Sequence, residues 1–297
     1  MTAQYGARNL TLGSFAVISG ISILEGMTSR PRRHDGAHVT EFRSSHSHRV
    51  VIYFPGLGMD AKTTFSHFMP HFENSTVMLV EYPHSGFKHE ATFSLLVQML
   101  RQHPGEELVL LGVSLGSSVA LEFRRYLMTR SDTRETYQEV KFIFYSSVTG
   151  AADVNLQSKL IAAIGFMLRG GVISEQIWRA IARFREQNPN LKFPSVYAEA
   201  KYAELQEILS RIPIRLLASE LRAVHFARRG RPGEFTNDSA LILTYNVDHV
   251  VRQSAYKQLA AAFSKAEISE VLENGHADVR MAVSTEKFLS AIKRFLA

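Results

Sequence analysis

The stretch that decides the fold is LVLLGVSLGSS at residues 108–118, an apolar run that ends in a serine flanked by glycines. The run begins with the length and composition of a buried strand, and residues 118–129 carry apolar side chains at helical spacing. The sequence therefore predicts a strand that turns sharply into a helix at Ser114. Gly112 and Gly116 lack the Cβ atoms that would clash in so tight a turn, which lifts the serine Oγ out of the backbone. We interpret Ser114 as a candidate nucleophile.

Strand and helix patterns alternate around this stretch. Further strands are predicted at residues 39–42, 49–54, 76–82, 140–145, 239–246 and 267–273. Further helices are predicted at residues 61–72, 91–103, 253–263 and 285–296. Such alternation predicts an α/β fold, with a mostly parallel central sheet and helices on both faces.

The alternation stops between residues 151 and 235, where the sequence carries several helical patterns and no convincing strand. We predict that this segment is a helical cap inserted over one end of the sheet; the alternative is that its helices extend the core. The chain is accordingly divided into an N-terminal segment at 1–35, a first part of the core at 36–150, the cap at 151–235 and a second part of the core at 236–297.

The N-terminal segment contains a charge-free, mostly apolar run at residues 10–24. It is shorter than the about 20 apolar residues that a membrane-spanning helix needs, and no Ala-x-Ala cleavage pattern follows it. We predict first strands at residues 15–18 and 21–24, then a loop at residues 29–38. The alternative is a signal segment, in which case the protein would be exported rather than cytoplasmic.

Composition limits the class of protein. The 297 residues are 45% hydrophobic and 21% charged, as in soluble globular domains. The absence of cysteine excludes disulfides, a thiolate nucleophile and cysteine-ligated zinc, and it suits a cytoplasmic location. Although the net charge is +6, no nucleic-acid-reading motif accompanies it. We expect no nucleic-acid partner, no metal, no cofactor and no integral membrane span, and leave association with a membrane surface open.

Three further candidate loops follow predicted strands, and they contain Leu57, Asp248 and His276. Because the carboxyl ends of parallel strands share one edge of a sheet, these loops should converge with Ser114 there. A serine hydroxyl needs an imidazole to take its proton, a role we assign to His276. The imidazole needs a carboxylate to fix its tautomer, a role we assign to Asp248. The backbone N–H of Leu57 is placed to receive developing negative charge, unless its loop is a plain turn.

The chain resembles the α/β-hydrolase superfamily, of the type with a helical cap between the sixth and seventh core strands. The resemblance rests on the nucleophile elbow at residues 112–116, the acid loop at 246–250 and the histidine loop at 274–277. The sequence FPGLG at residues 54–58 is similar to the family's oxyanion loop, with Pro55 where the family usually has histidine.

The resemblance implies an oxyanion hole formed by the backbone N–H groups of Leu57 and Leu115. It also makes Asp153 a reserve candidate for the acid, because some relatives carry the acid after the sixth strand. A serine at the nucleophile position argues against haloalkane dehalogenases and epoxide hydrolases, which have aspartate there. Residues 81–88 keep only part of a further family motif.

The expected function is a cofactor-independent serine hydrolase that cleaves a carboxylic ester through an acyl-enzyme on Ser114. The apolar cap helices suggest a small-molecule ester with an apolar part. A thioesterase, an amidase or an acyltransferase would use the same triad. The alternative of another class is a ligand-binding receptor or scaffold that keeps the fold without turnover.

Overall fold

In this computed structural model, the described residues are 24, 27–34, 37–45, 47–82, 88–150, 152–154, 227–248, 250–275, 279–282 and 285–297. Runs rich in Val, Ile, Leu and Phe form the middle of an eight-stranded sheet, since such residues favour a buried pleated surface. The strands are β1 (Thr28–His34), β2 (Ala37–Arg43), β3 (Arg49–Phe54), β4 (Thr76–Glu81), β5 (Glu107–Val113), β6 (Val140–Tyr145), β7 (Phe235–Asp248) and β8 (Phe263–Gly275).

The spatial order of the strands is β1-β2-β4-β3-β5-β6-β7-β8. β2 runs antiparallel to both β1 and β4, whereas every other neighbouring pair is parallel. The prediction of a mostly parallel sheet is confirmed. Its parallel strands end at one common edge, which is where ligands bind in such sheets.

Helices cover both faces of the sheet. They are α1 (Ala61–Ser66), α2 (His89–Leu100), α3 (Gly116–Met128), α4 (Ser131–Thr136), α5 (Gln253–Ala260), α6 (Val279–Ala282) and α7 (Glu286–Leu296). Alternate residues of β3 point to opposite faces, so Ile52 and Phe54 pack with α2, α3 and α5, whereas Val51 and Tyr53 pack with α1, α6 and α7. Two apolar layers therefore enclose the sheet, as the sequence predicts.

The predicted loop at residues 29–38 is wrong wherever these residues are described, because β1 occupies Thr28–His34, β2 begins at Ala37, and the two strands pair antiparallel. β1 is an edge strand, rich in arginine and interrupted by Pro31, and most of its side chains are exposed. Proline and charge are tolerated at a sheet edge, and they hide the apolar alternation by which strands are recognised. Leu24 is helical and fully buried rather than extended. The rest of the predicted first strands, at 15–18 and 21–23, lies outside the described residues.

β7 and β8 are longer than predicted. Asp248 is the last residue of β7, and Phe263 begins β8 instead of ending a helix. The start of β7 was not recognised in the sequence because its first residues are mostly polar and include Asp238, which is buried against Arg124. The predicted helix at 61–72 is also shorter: α1 ends at Ser66, and a separate 3-10 turn that contains Pro70 follows.

The predicted cap falls mainly on residues 155–226, which lie outside the described residues, and it stays a prediction. This segment leaves the sheet after the sixth strand, β6, and returns before the seventh, β7. Among the described residues, no helix is long and apolar enough to cross a membrane.

Candidate active site

Ser114 forms the turn between β5 and α3. Its φ is 49°, in the left-handed region that side chains other than glycine rarely adopt. The N–H of Ser114 donates to the carbonyl of Tyr145 at 2.9 Å, and its own carbonyl accepts from the N–H of Val148 at 3.1 Å. Backbone bonds from the end of β6 therefore hold the turn, and Ser114 is only 9% exposed.

A side chain is excluded at each glycine of the elbow by a different neighbouring segment. A Cβ on Gly112 would lie 2.7 Å from Cα of Ser117, at the start of α3. A Cβ on Gly116 would overlap the carbonyl oxygen of Phe54 and lie 2.7 Å from that of Pro55. These distances are shorter than real Cβ contacts, so α3 can start beside Gly112, and the end of β3 can approach Gly116, only because both residues lack a side chain.

The loop after β3, which contains Leu57, approaches the elbow at Gly56. A Cβ on Gly56, the preceding residue, would lie 3.3 Å from Cβ of Ser114. The hydroxyl of Tyr82 donates to the carbonyl of Pro55 at 3.1 Å, which helps to fix the loop. Within the described part of the chain, neither the N–H of Leu57 nor that of Leu115 donates a hydrogen bond. N–H groups without a partner beside a serine are what an oxyanion hole requires.

Asp248 lies at the end of β7 with its carboxylate held from two sides. Oδ1 accepts from the N–H groups of Val250 and Val251, each at 2.8 Å. Oδ2 accepts from the hydroxyl of Tyr256 at 2.6 Å. Sequence reasoning missed Tyr256, whose spacing from Asp248 carries no signal before the helix α5 is placed beside the loop.

Asp248 pairs with Gly275, the last residue of β8, in the parallel register of the two strands. The next residue is His276, which lies outside the described residues, so its role is still a prediction. The register shifts between Thr244 and Tyr245, where β8 carries one additional residue. Such a bulge bends a strand, and bulges are common near active sites.

Asp153, the reserve acid, lies in the loop after β6 and is 1% exposed. Its Oδ2 accepts from the N–H and the hydroxyl of Thr149, at 2.9 and 2.6 Å, and its Oδ1 is paired with Arg229. The carbonyl of Asp153 also accepts from the N–H of Arg252 at 2.9 Å. Both carboxylate oxygens therefore have local partners, and the Asp153 loop is tied to the loop that follows Asp248.

The described residues thus form two groups at this end of the sheet. Ser114 and Leu115 form the elbow, and Gly56, the residue before Leu57, approaches Ser114 there. Asp248 is paired with Gly275 at the start of the histidine loop. It lies five residues beyond Leu243, the residue of β7 that pairs with Tyr145 at the end of β6. That the two groups meet to form a triad is not given by the strand register and stays a prediction.

No protein-family model matches the chain, and no curated protein matches it in sequence. Solved structures do match its fold. A hydrolase from Pseudomonas aeruginosa superposes with a TM-score of 0.61 at 15% identity, covering 91% of this chain and 98% of its own. An esterase from Rhodococcus sp. superposes with a TM-score of 0.59 at 16% identity, covering 91% and 98%. An α/β hydrolase enzyme from a deep-sea metagenome library gives 0.56 at 16% identity, covering 90% and 97%.

The chain has the α/β-hydrolase fold. The fold class predicted from the sequence is confirmed. At such low identities the likeness extends to the fold alone, because one fold supports many activities. The activity of a chain with this fold therefore depends on its own residues.

Proposed function

We propose that the chain is a serine hydrolase that cleaves a carboxylic ester through an acyl-enzyme on Ser114. The conformation of Ser114 is the observation that carries the proposal. A non-glycine residue in the left-handed region costs about 1–3 kcal/mol, and such strain gathers at functional sites. Here it occurs at a strand-to-helix turn of the α/β-hydrolase fold, where a nucleophile belongs.

The proposed oxyanion hole consists of the N–H groups of Leu57 and Leu115. As the Oγ of Ser114 attacks the ester carbonyl carbon, the carbonyl oxygen gains negative charge, and these two donors stabilise it. Their lack of partners among the described residues and the contact of the Gly56 loop with Ser114 support this role. Loss of one such donor typically raises the barrier by about 2.7–4 kcal/mol.

His276 is the proposed base, and Asp248 the proposed acid. The imidazole takes the proton of Ser114 Oγ as the carbon–oxygen bond forms, then gives it to the leaving alcohol as the ester bond breaks. Water attacks the acyl-enzyme with the same assistance and releases the acid. The pairing of Asp248 with the residue before His276 supports this choice, as does the full engagement of Asp153 with Thr149 and Arg229.

The proposed substrate is a small-molecule ester with an apolar part. Support comes from the apolar helical patterns between residues 151 and 235 and from the structural neighbours that are named hydrolase and esterase. p-Nitrophenyl esters from acetate to palmitate test this choice. We expect kcat/KM to rise with chain length to an optimum, whereas a flat series would contradict an apolar acyl pocket.

The same assay tests the nucleophile. Ser114→Ala should abolish ester turnover, since no other group can carry the acyl intermediate. Ser290→Ala is a matched control, because its hydroxyl bonds carbonyls of its own helix, those of Glu286 and Lys287, on an exposed face of α7. If Ser114→Ala retains wild-type turnover, or if folded wild type cleaves no ester, the proposed function is wrong.

A further inference from the structure

The carboxylate of Asp248 is held by three donors from the chain that follows it. Two are the backbone N–H groups of Val250 and Val251, both on Oδ1. The third is the hydroxyl of Tyr256 on Oδ2, at a distance of 2.6 Å. A distance of this size is typical of a charge-assisted O–H···O⁻ bond, which is stronger than a neutral one.

Tyr256 is built into the core rather than lying at the surface. It is 1% exposed and belongs to the apolar layer that also contains Phe263. Burial raises the pKa of the Tyr256 phenol well above its usual value, and the charge of Asp248 adds to this effect. The hydroxyl therefore keeps its proton, and it is a permanent donor to Asp248.

The strand register places Asp248 next to the chain that leads into His276, because Asp248 is paired with Gly275. A carboxylate offers about four acceptor sites, two on each oxygen. The two amides occupy Oδ1, and Tyr256 occupies one site on Oδ2. Because donors bind both oxygens, they restrict rotation of the carboxylate.

We propose that Tyr256 is a positioning residue: its hydroxyl holds Oδ2 of Asp248 in the orientation that receives the imidazole of His276, and it takes up part of the carboxylate's charge. This inference rests on the proposed function, because it takes Asp248 as the acid. Two consequences follow. Without the hydroxyl, the imidazole is held less well, which lowers turnover. The carboxylate also stabilises the imidazolium more strongly, which moves proton loss from the base to higher pH.

Tyr256→Phe removes the hydroxyl and keeps the ring. We expect kcat for a p-nitrophenyl ester to fall about tenfold while KM changes less than about twofold, as for a group that acts in the transition state. We also expect the acid limb of the kcat/KM profile to move up by about half a pH unit. Neither the split between kcat and KM nor the shifted limb would follow from a loss of packing.

Tyr137→Phe is the matched control. The hydroxyl of Tyr137 is also buried, but it donates to the carbonyls of Leu100 and His103, at 3.1 and 2.8 Å. Its removal should leave the acid limb and kcat unchanged. If Tyr256→Phe also keeps the wild-type kcat and acid limb, while wild type cleaves the ester, the positioning role is overturned and the proposed function stands. If wild type cleaves no ester, the proposed function itself fails.

A second comparison is used if Tyr256→Phe alone does not fold. It takes the double variant Asp248→Asn with Tyr256→Phe, in which the buried carboxylate charge that Tyr256 satisfies is removed together with the hydroxyl. Its kcat/KM is compared with that of Asp248→Asn alone. If Tyr256 acts through Asp248, the two values should agree within about twofold, since coupled effects do not add. A further loss of tenfold or more in the double variant would contradict the inference.

Discussion

Asp248 and Gly275 are direct partners in the parallel ladder of β7 and β8, and each is the last residue of its strand. The chain continues from Gly275 into His276, so the proposed acid and base follow from neighbouring strand ends. The backbone of Asp248 is held in the sheet, and its carboxylate is held by its own loop, because Val250 and Val251 donate to it. This relationship distinguishes Asp248 from Asp153 as the proposed acid.

Replacing each acid in turn tests that choice. Asp248→Asn should lower kcat by about 10⁴-fold and leave the protein folded, because the amide favours the wrong imidazole tautomer. Asp153→Asn should keep most of the activity and lose stability, because Arg229 then lacks its carboxylate partner. Ester turnover and urea unfolding measure the two effects. Loss of turnover in Asp153→Asn with normal turnover in Asp248→Asn would reverse the assignment.

The elbow predicts a contrast between two glycines. Gly116→Ala places a Cβ on the carbonyl oxygen of Phe54, so it should lower the free energy of unfolding by about 3 kcal/mol or more and abolish turnover. Gly105→Ala meets nothing within 4 Å, although its φ is +81°. It should cost only the strain of a left-handed alanine, about 1–2 kcal/mol, and keep turnover. Equal effects in both variants would be evidence against the close approach at Gly116.

Far from the elbow, a buried ion pair joins α3 to the start of β7. Arg124 binds Asp238 with two bonds, at 2.8 and 2.9 Å, and both side chains are nearly inaccessible. Arg124→Met leaves the carboxylate buried without its partner, so it should lower the free energy of unfolding by about 3–5 kcal/mol. Arg294→Met breaks an exposed ion pair with Glu267 and should change the free energy of unfolding by less than about 1 kcal/mol. Urea unfolding of both variants decides whether burial makes this difference.

A histidine between two carboxylates makes stability depend on pH. His103 contacts Glu41 at 3.0 Å and Glu106 at 2.8 Å. The hydrogen bond with Glu41 raises the pKa of His103, burial opposes it, and Glu106 adds to the rise. Because the folded pKa lies above the unfolded one, about 6.5, this stabilisation is complete below pH 6.5 and is lost as the pH rises through the folded value.

We therefore expect the Tm to fall as the pH rises above about 6.5, and the fall to become smaller in His103→Gln. His71 is the control, because burial, aided by the charge of Lys293, lowers its pKa to about 4 and keeps it neutral over this range. His71→Gln should leave the pH dependence of Tm unchanged. Thermal unfolding at several pH values measures it, and a His103→Gln profile parallel to wild type would contradict the assignment.

The parts of the fold that the sequence predicts are those with local causes. β6 matches its predicted bounds because it is a nearly continuous apolar run that is buried on both faces of the sheet. The strand-to-helix turn at Ser114 was predicted correctly because the glycines it requires, Gly112 and Gly116, lie within five consecutive residues. The strand β1 was missed because arginines and Pro31 suit an edge strand that needs no apolar pattern.

The parts of the site that the sequence did not predict depend on contacts between distant segments. Tyr256 becomes significant only once α5 lies beside the Asp248 loop, and Arg229 only once it meets Asp153 across the segment that begins at residue 155. The hydroxyl of Tyr82 likewise has no recognisable role until β4 lies next to β3. Such contacts have no fixed spacing in the chain.

Covalent labelling tests the central claim most directly. A fluorophosphonate forms a stable bond to a serine only where a base and an oxyanion hole activate it. We predict that folded wild type is labelled once, on the peptide that contains Ser114, as read by mass spectrometry, and that Ser114→Ala is not labelled. Wild type without label, or a Ser114→Ala variant labelled equally, would contradict the account.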